Sequence, residues 1–412
     1  MKNKLFLLTL FTAALCFAQS PEIERDGNYT HVTFEKSFDV KSGAYQLEIS
    51  DVIADLEIIG SSDNSVKFKE VFRIRTTSKS EAEDLYDKYH LDMKKTEYGH
   101  ALINKRFKKI RSGSHIKIEY TLEIPTKSSI AGKTFSGDIT IENTEGQFVL
   151  ATYGGDIQAE NVSGSMQFST AGGDINVENL EGNLHLYTAG GDISAEDIKG
   201  KSEIETAGGD IEIFSHKGNL EASTFGGDIY VKKAQGEKIE LKSLGGDIKI
   251  RESSAEIILE TAGGDISAED ITGSLDGETL GGMIECQNIT GHINMETAGG
   301  DIIVEELFGS ADLETLAGDI EIEKLWSNKL EKHDIRVNTE YGDIMLTIPE
   351  KPDFNLKAKA HGFGVEIISD FPLEIIQKDN RKVIGSHTAN KGSYSIDLTA
   401  NEGDISIKKG RE

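Results

Sequence analysis

The chain has 412 residues but only 37% hydrophobic residues, with 43 Gly, 5 Pro and a single Trp, which is too lean for one deep core. Its formal net charge of −27 is dispersed along the sequence, not held in a tail. That argues against nucleic acid as a partner and implies a solvated surface that repels copies of itself.

Residues 1–18 read as a secretory signal peptide, with Lys2 and Lys4 followed by an apolar run from Leu5 to Phe17 and an Ala-type cleavage site at Ala18. Its removal leaves Cys286 as the sole cysteine, so no intramolecular disulfide can form. An exported chain without bridges must be held by its backbone ladders and packing. Residues 19–125 form a less regular, β-rich entry and capping region. His31 to Phe38, Ala44 to Ile49, Leu56 to Ile59 and Val66 to Arg75 alternate as strands. Asp55-Leu56-Glu57-Ile58 already has the form of a degenerate first repeat. Ser80 with Glu83 forms a capping box, and Ala82, Leu85, Tyr86 and Tyr89 follow at helical spacing, predicting one short helix from Ser80 to His90. Lys105, Arg106, Lys108, Lys109, Arg111 and Lys117, interleaved with Phe107, Ile110, Ile116 and Ile118, read as two hairpin strands with a solvated basic face.

Residues 126–348 carry the regular repeats. A Gly-Asp-Ile tripeptide places aspartates at Asp138, Asp156, Asp174, Asp192, Asp210, Asp228, Asp247, Asp265, Asp301 and Asp319, with Met283 standing in once. Successive positions lie eighteen residues apart, except for one step of nineteen. A fixed period this short means one supersecondary unit stacked on copies of itself. Within a repeat, Gly173 to Glu181 and Gly182 to Gly190 follow nearly the same pattern, so each coil reads as two nine-residue sides. A three-sided form would need an apolar residue every sixth position, which from Ile175 falls on Glu181 and Tyr187. Alternation points Ile175 and Val177 inward against Leu184 and Leu186, and leaves Asp174, Asn176 and Glu178 in water. Glycines supply the turns. The fold expected is all-β, a parallel β-solenoid or β-helix with about eleven two-sided coils of eighteen residues and one short helix. The crossover rule for parallel strands favours a right-handed coil. After Asp319 the next aspartate, Asp343, is twenty-four residues on, placing a loop near Ser327 to Lys332 beside Trp326. Residues 349–412 supply the last coils and cap, ending on the repeat-like strand Gly403 to Ile407.

Stacking aligns the aspartates into a row in which each neighbouring pair repels by about 1 kcal/mol in a water-like dielectric. Backbone N–H groups of its own turn are the expected partners of each carboxylate, with weak binding of divalent cations to the row as the alternative. Calcium-binding nonapeptide repeats share the two-by-nine geometry, but their aspartate sits three residues further from the glycine pair. A threonine lies four residues before each aspartate, for example Thr170, Thr188 and Thr206, with Ser243 in the longer step. Its hydroxyl can bond to the next coil while its methyl packs inward. Cys286 takes the slot of Val177 and Val304 and reads as a small core residue. The histidines fall into no metal-ligand spacing and lie beside no plausible nucleophile; His216 replaces a semi-buried apolar residue, and His185 and His292 alternate outward. No catalytic, cofactor-binding or metal-binding residue is assigned, and no cofactor.

The signal segment, the lead-in Tyr120-Thr121-Leu122-Glu123-Ile124-Pro125, the Gly-Asp-Ile coils and the closing Gly403-Asp404-Ile405 together resemble the putative adhesin family of bacterial envelope proteins, formerly a domain of unknown function. The resemblance implies an exported β-solenoid acting in adhesion, and brings no site residues with it. The reading is a non-enzymatic surface or periplasmic scaffold whose partner is an envelope protein or glycan, with no membrane span once the signal is removed. The alternative is a polysaccharide-binding or polysaccharide-cleaving β-helix. Exposed aromatics such as Tyr153, Tyr187 and Phe225 near the corners bear on that alternative.

Overall fold

The computed structural model describes residues 20–40, 45–103, 116–326, 330, 332–349 and 353–410. The signal segment, the basic cluster from Lys105 to Arg111 and part of the Ser327 to Lys332 loop lie outside the described residues. The protein is all-β, with one helix among the described residues.

The eighteen-residue period is a register. Ile175 pairs in parallel with Ile157 on one side and Ile193 on the other, and Leu184 with Met166 and Ser202. Two long faces result, one from residues like Ile175–Glu178 and the other from residues like Leu184–Thr188. Side chains alternate as the sequence predicts: Ile175, Val177, Leu184 and Leu186 are buried, whereas Asp174, Asn176 and Glu178 are exposed. One column is isoleucine from Ile139 through Ile157, Ile175 and Ile193 to Ile344 and Ile405, each with 0 to 1% of its surface exposed. Burying such a side chain is worth about 2 to 3 kcal/mol. The facing column varies in size and compensates locally. Gly277 leaves a gap that Met295 of the next coil fills, its Sδ 2.6 Å from where a Cβ on Gly277 would stand.

Glycine plays a different part at each corner. The turn after the first face is made by a left-handed residue that is not glycine, such as Asn161 (φ 55°), Asn179 (φ 54°) or Asp197 (φ 53°), followed by a left-handed glycine such as Gly182 (φ 133°). Asn and Asp tolerate this region because their short side chains bond locally. The Gly-Gly pair at the other corner is not left-handed. Its second member is fixed by close approach: a Cβ on Gly264 would stand 2.1 Å from the Gly246 carbonyl oxygen. The first member has room, since the nearest atom to a Cβ on Gly263 is 3.4 Å away. The nineteen-residue step is a bulge between Gln235 and Lys238, and Asn219 Oδ1 accepts the Glu237 and Lys238 amides at 3.3 Å. The twenty-four-residue step is spent between Lys324 and Ile335, where Trp326 stacks on His333 at 4.2 Å between ring centroids.

At both ends the chain order differs from the order in space. Strand Asp55–Ser61 lies between Ile139–Glu142 and the later strand Ile116–Pro125, both parallel to it. Asp55-Leu56-Glu57-Ile58 is thus a repeat in the stack, with Leu56 opposite Ile139. At the other end, Ile405–Lys409 pairs with Ile344–Ile348 on one side and Ile367–Ser369 on the other. The last repeat of the sequence is therefore not the last in the stack. Antiparallel strands close each end: Ser65–Ile74 on Ile116–Pro125, and Lys382–Thr388 on Phe354–His361. The helix Lys79–Tyr89 begins earlier than the Ser80 capping box suggests, because Ser78 accepts the Glu81 amide at 3.2 Å and serves as N-cap. It buries Ala82, Tyr86 and Tyr89. The fully buried Glu70 carboxylate holds the helix to the sheet by accepting the Leu91 amide at 2.9 Å and contacting His90.

The two glycines of one pair predict opposite outcomes. Gly264→Ala is expected to destabilise the protein by about 3 kcal/mol or more, because backbone must move. Gly263→Ala is expected to stay within about 1 kcal/mol of the parent. Urea titration of both variants checks this; equal effects would mean that close stacking does not set the corner.

Candidate functional site

The Gly-Gly corner is locked from the inside by the repeated threonine. The Thr188 hydroxyl donates to the Gly173 carbonyl at 2.9 Å and accepts the Gly191 amide at 3.2 Å. Each threonine thus bridges two consecutive coils, as its position in the repeat suggests, and Ser243 does the same in the longer step. Outside the corner, each aspartate accepts a backbone amide from the next coil, and not from its own turn as expected. Asp174 Oδ1 accepts the Asp192 N–H at 2.9 Å. This runs from Asp55, which accepts from Asp138 at 3.1 Å, to Asp343, which accepts from Asp404 at 2.8 Å. A charge-assisted bond of this type contributes about 1.5 to 3 kcal/mol and offsets the repulsion along the row. Met283 donates to Asp265 at 2.7 Å but has no carboxylate to receive the amide of Asp301.

With the threonine turned in and the aspartate engaged, the residue directly after the threonine is free to face outward. It is apolar in coil after coil. Phe225 is 66% exposed, Leu244 57%, Leu280 59% and Leu316 54%. Alanine takes the same place at Ala171, Ala189, Ala207, Ala262 and Ala298. The result is an exposed apolar ridge along one corner. A hollow of about 380 Å³ opens over Ala262, between Phe225, Leu244 and Leu280 and beside Glu260 and Glu278. Nearer the entry end, Phe135 and Tyr153 stack at 5.4 Å, and Lys133 Nζ lies 4.6 Å from the Tyr153 ring centre. Tyr153 and Phe225 therefore lie on the ridge, whereas Tyr187 points outward from the neighbouring face, just before Thr188. The leucines are legible as the residue following each repeated threonine, but one position in eighteen draws no attention in a hydropathy pattern.

Two buried titratable groups, His216 and Lys324, occupy the column of Leu180 and Ile198. His216 is fully buried, with Nε2 2.9 Å from Ser202 Oγ and with Nδ1 unpartnered. Burial pushes its pKa down to about 4. The pair has the composition of a nucleophile and its base but is sealed within the sandwich. Lys324 is 1% exposed and donates to the Leu307 and Leu325 carbonyls at 3.2 and 2.6 Å, with Nζ 3.2 Å from His333 Nδ1. Burial lowers its pKa to about 7. Cys286 lies in the core in register with Ala268 and Val304, its thiol pushed up to about 12 by burial. Among the described residues, no group of three or more His, Cys, Asp or Glu is placed to hold a metal ion.

A family model described as Toastrack DUF4097 matches residues 44–270 and 229–408. No curated protein matches the chain. Among solved structures, one described as a putative cell adhesion protein from Clostridium sporogenes is 11% identical, covering 92% of this chain and 100% of its own, with a TM-score of 0.18. Another, described as a putative adhesin from Bacteroides fragilis, is 14% identical over 76% of this chain and 96% of its own, with a TM-score of 0.20.

Burial of neutral His216 makes stability fall as pH drops through its unfolded pKa near 6.5, levelling off below its folded pKa of about 4. The loss reaches about 3 kcal/mol. His216→Leu should remove that part of the acid sensitivity, as read from denaturant midpoints across this pH window. Millimolar calcium should raise the melting temperature by less than about ten degrees, since the aspartates are already bonded to amides. A larger rise, followed by calorimetry with and without chelator, would make the row a cation site.

Proposed function

The chain belongs to the Toastrack DUF4097 family, and on that premise we propose that it acts as a non-enzymatic, exported, adhesin-like interaction scaffold at the cell surface or in the periplasm. The observation that carries this is the exposed apolar ridge. The inward positions of the coil are committed to the sandwich, and the threonine, second glycine and aspartate of the corner to close coil-to-coil contact, yet the side chains of the ridge leucines are more than half exposed. A run of about eleven coils at about 4.8 Å each presents this edge along a rod on the order of 50 Å. Export rests on the signal-like residues 1–18, and no helix among the described residues is long and apolar enough to cross a membrane. The buried Ser202–His216 pair supports a structural rather than a chemical role, since no substrate can reach it.

The stacked Phe135–Tyr153 pair with Lys133 is the one observation favouring a glycan partner, because partly exposed aromatic rings beside a cationic donor offer a sugar both apolar surface and a hydrogen bond. Binding of the purified mature chain to a panel of glycans and envelope fractions, with and without calcium, separates the readings. Saturable binding lost on Leu244→Glu and Leu280→Glu supports the scaffold reading. Binding lost only on Tyr153→Ala supports the glycan reading. Turnover of any polysaccharide in the panel would overturn both.

A further inference from the structure

The ridge has a chemical frame that says what lies on it. On one side run Glu260, Glu278, Glu296 and Glu314, each just before a threonine. On the other side run Asp247, Asp265, Asp301 and Asp319, with half-exposed Met283 widening the apolar stripe where the aspartate is missing. Lys242, which lines the hollow at this edge, pairs with Glu240 at 2.7 Å and Glu260 at 3.2 Å, so the net negative charge of this row begins at Glu278. The surface is therefore three parallel rows, acidic, apolar and acidic, in a chain of net charge −27.

We propose that the ridge from Phe225 to Leu316 docks a cationic amphipathic α-helix lying along the rod, with a large apolar side chain seated in the hollow over Ala262 and lysine or arginine rows against the two acidic flanks. This rests on reading the corner as an interaction surface. Three observations select this occupant. First, the charge pattern calls for basic residues on both sides of an apolar stripe, which is the surface of an amphipathic helix. Second, the spacing fits. Leu244, Leu280 and Leu316 recur every second coil, about 9.6 Å apart, leaving notches at Ala262 and Ala298 between them. Seven residues of helix advance about 10.5 Å, so side chains at i and i+7 enter successive notches. A strand laid the same way repeats its face every 6.6 Å or so, and about 13.2 Å at the next step, matching neither. Third, the flanks offer carboxylate acceptors and few donors, which suits a partner whose backbone carbonyls are already bonded within its own helix.

The glycines agree. The first glycine of each pair, such as Gly245, Gly263, Gly281 and Gly299, has no positive φ, and a Cβ added there would meet no atom closer than 3.4 Å. Nothing inside the fold requires a bare backbone there, and the small residue, glycine at these corners and Ala317 beside Leu316, leaves room for a helix against the corner.

The test uses the mature chain and a fluorescent peptide of about 21 residues, helical, with a leucine or phenylalanine stripe at heptad spacing and lysines on both flanks. Fluorescence anisotropy should give saturable binding that weakens steeply with salt. Ala262→Trp, which fills the hollow, and the double reversal Glu278→Lys with Glu296→Lys should each weaken binding at least about tenfold while leaving the melting temperature of these surface variants unchanged. A peptide of the same composition with proline at its centre should bind at least about tenfold more weakly, because it cannot form the helix. Equal binding by the proline peptide, indifference to both sets of substitutions, or no binding at all would overturn the proposal. Saturable binding in the envelope panel alongside a silent peptide would overturn the helix alone and leave the scaffold reading in place.

Discussion

The structure depends on how closely one coil approaches the next at the Gly-Gly corner. In-register stacking brings the backbone of each second glycine so near the carbonyl of its predecessor that a Cβ would stand 1.9 to 2.1 Å from that oxygen in coil after coil, from Gly155 to Gly318. The surrounding chemistry follows from that approach. The threonine hydroxyl can reach the glycine carbonyl of one coil and the glycine amide of the next only because the two corners nearly touch. The aspartate can accept the amide of its counterpart for the same reason. A feature that contributes little once is multiplied by every coil, which is how a lean sequence holds a long parallel ladder.

A ladder of this kind has ends, and open sheet edges invite association. The chain closes them by going out and coming back. At the entry end it lays down Asp55–Ser61, continues outward to build Ile116–Pro125, and then returns to start the regular coils beside Asp55. At the exit it builds Phe354–His361 and Ile367–Ser369 at the outside, then tucks Tyr394–Asn401 and Ile405–Lys409 between them and the stack. The returning strands are thereby paired on two sides. The aspartate ladder continues through each return, across 83 residues from Asp55 to Asp138 and 61 from Asp343 to Asp404.

Those returns show where sequence reasoning stops. The period, the inward columns, the bridging threonine and the helix position are local, and alternation or spacing reveals them. Which strand neighbours which at the ends is not local, because Gly403-Asp404-Ile405 has the same form wherever in the stack it lies. The partner of each aspartate is illegible for a related reason. A turn and its stacked copy offer the same amide, and only the coil-to-coil distance decides between them. The left-handed corner at Asn179 leaves only a partial sequence signature: Asn143, Asn161, Asp197, Asp270 and Asn288 keep Asn or Asp there, whereas Ser215, Lys233, Glu252 and Glu306 do not, although all have φ between 50° and 60°. There the bend is imposed by the neighbouring coils, and the side chain only has to tolerate it.

The same multiplication separates what the fold needs from what it leaves open. A column that faces inward must keep its volume, so when it shrinks at Gly277 the next coil enlarges to Met295. A column that faces outward has no such coupling, and its composition reflects solubility or contact. Dispersed carboxylates account for solubility. They do not account for Phe225, Leu244, Leu280 and Leu316, each more than half exposed at one equivalent position, since exposed apolar side chains in a line work against a soluble, self-repelling rod. An acidic surface that retains such a line repels copies of itself, and its chemistry is complementary to apolar surface that carries positive charge.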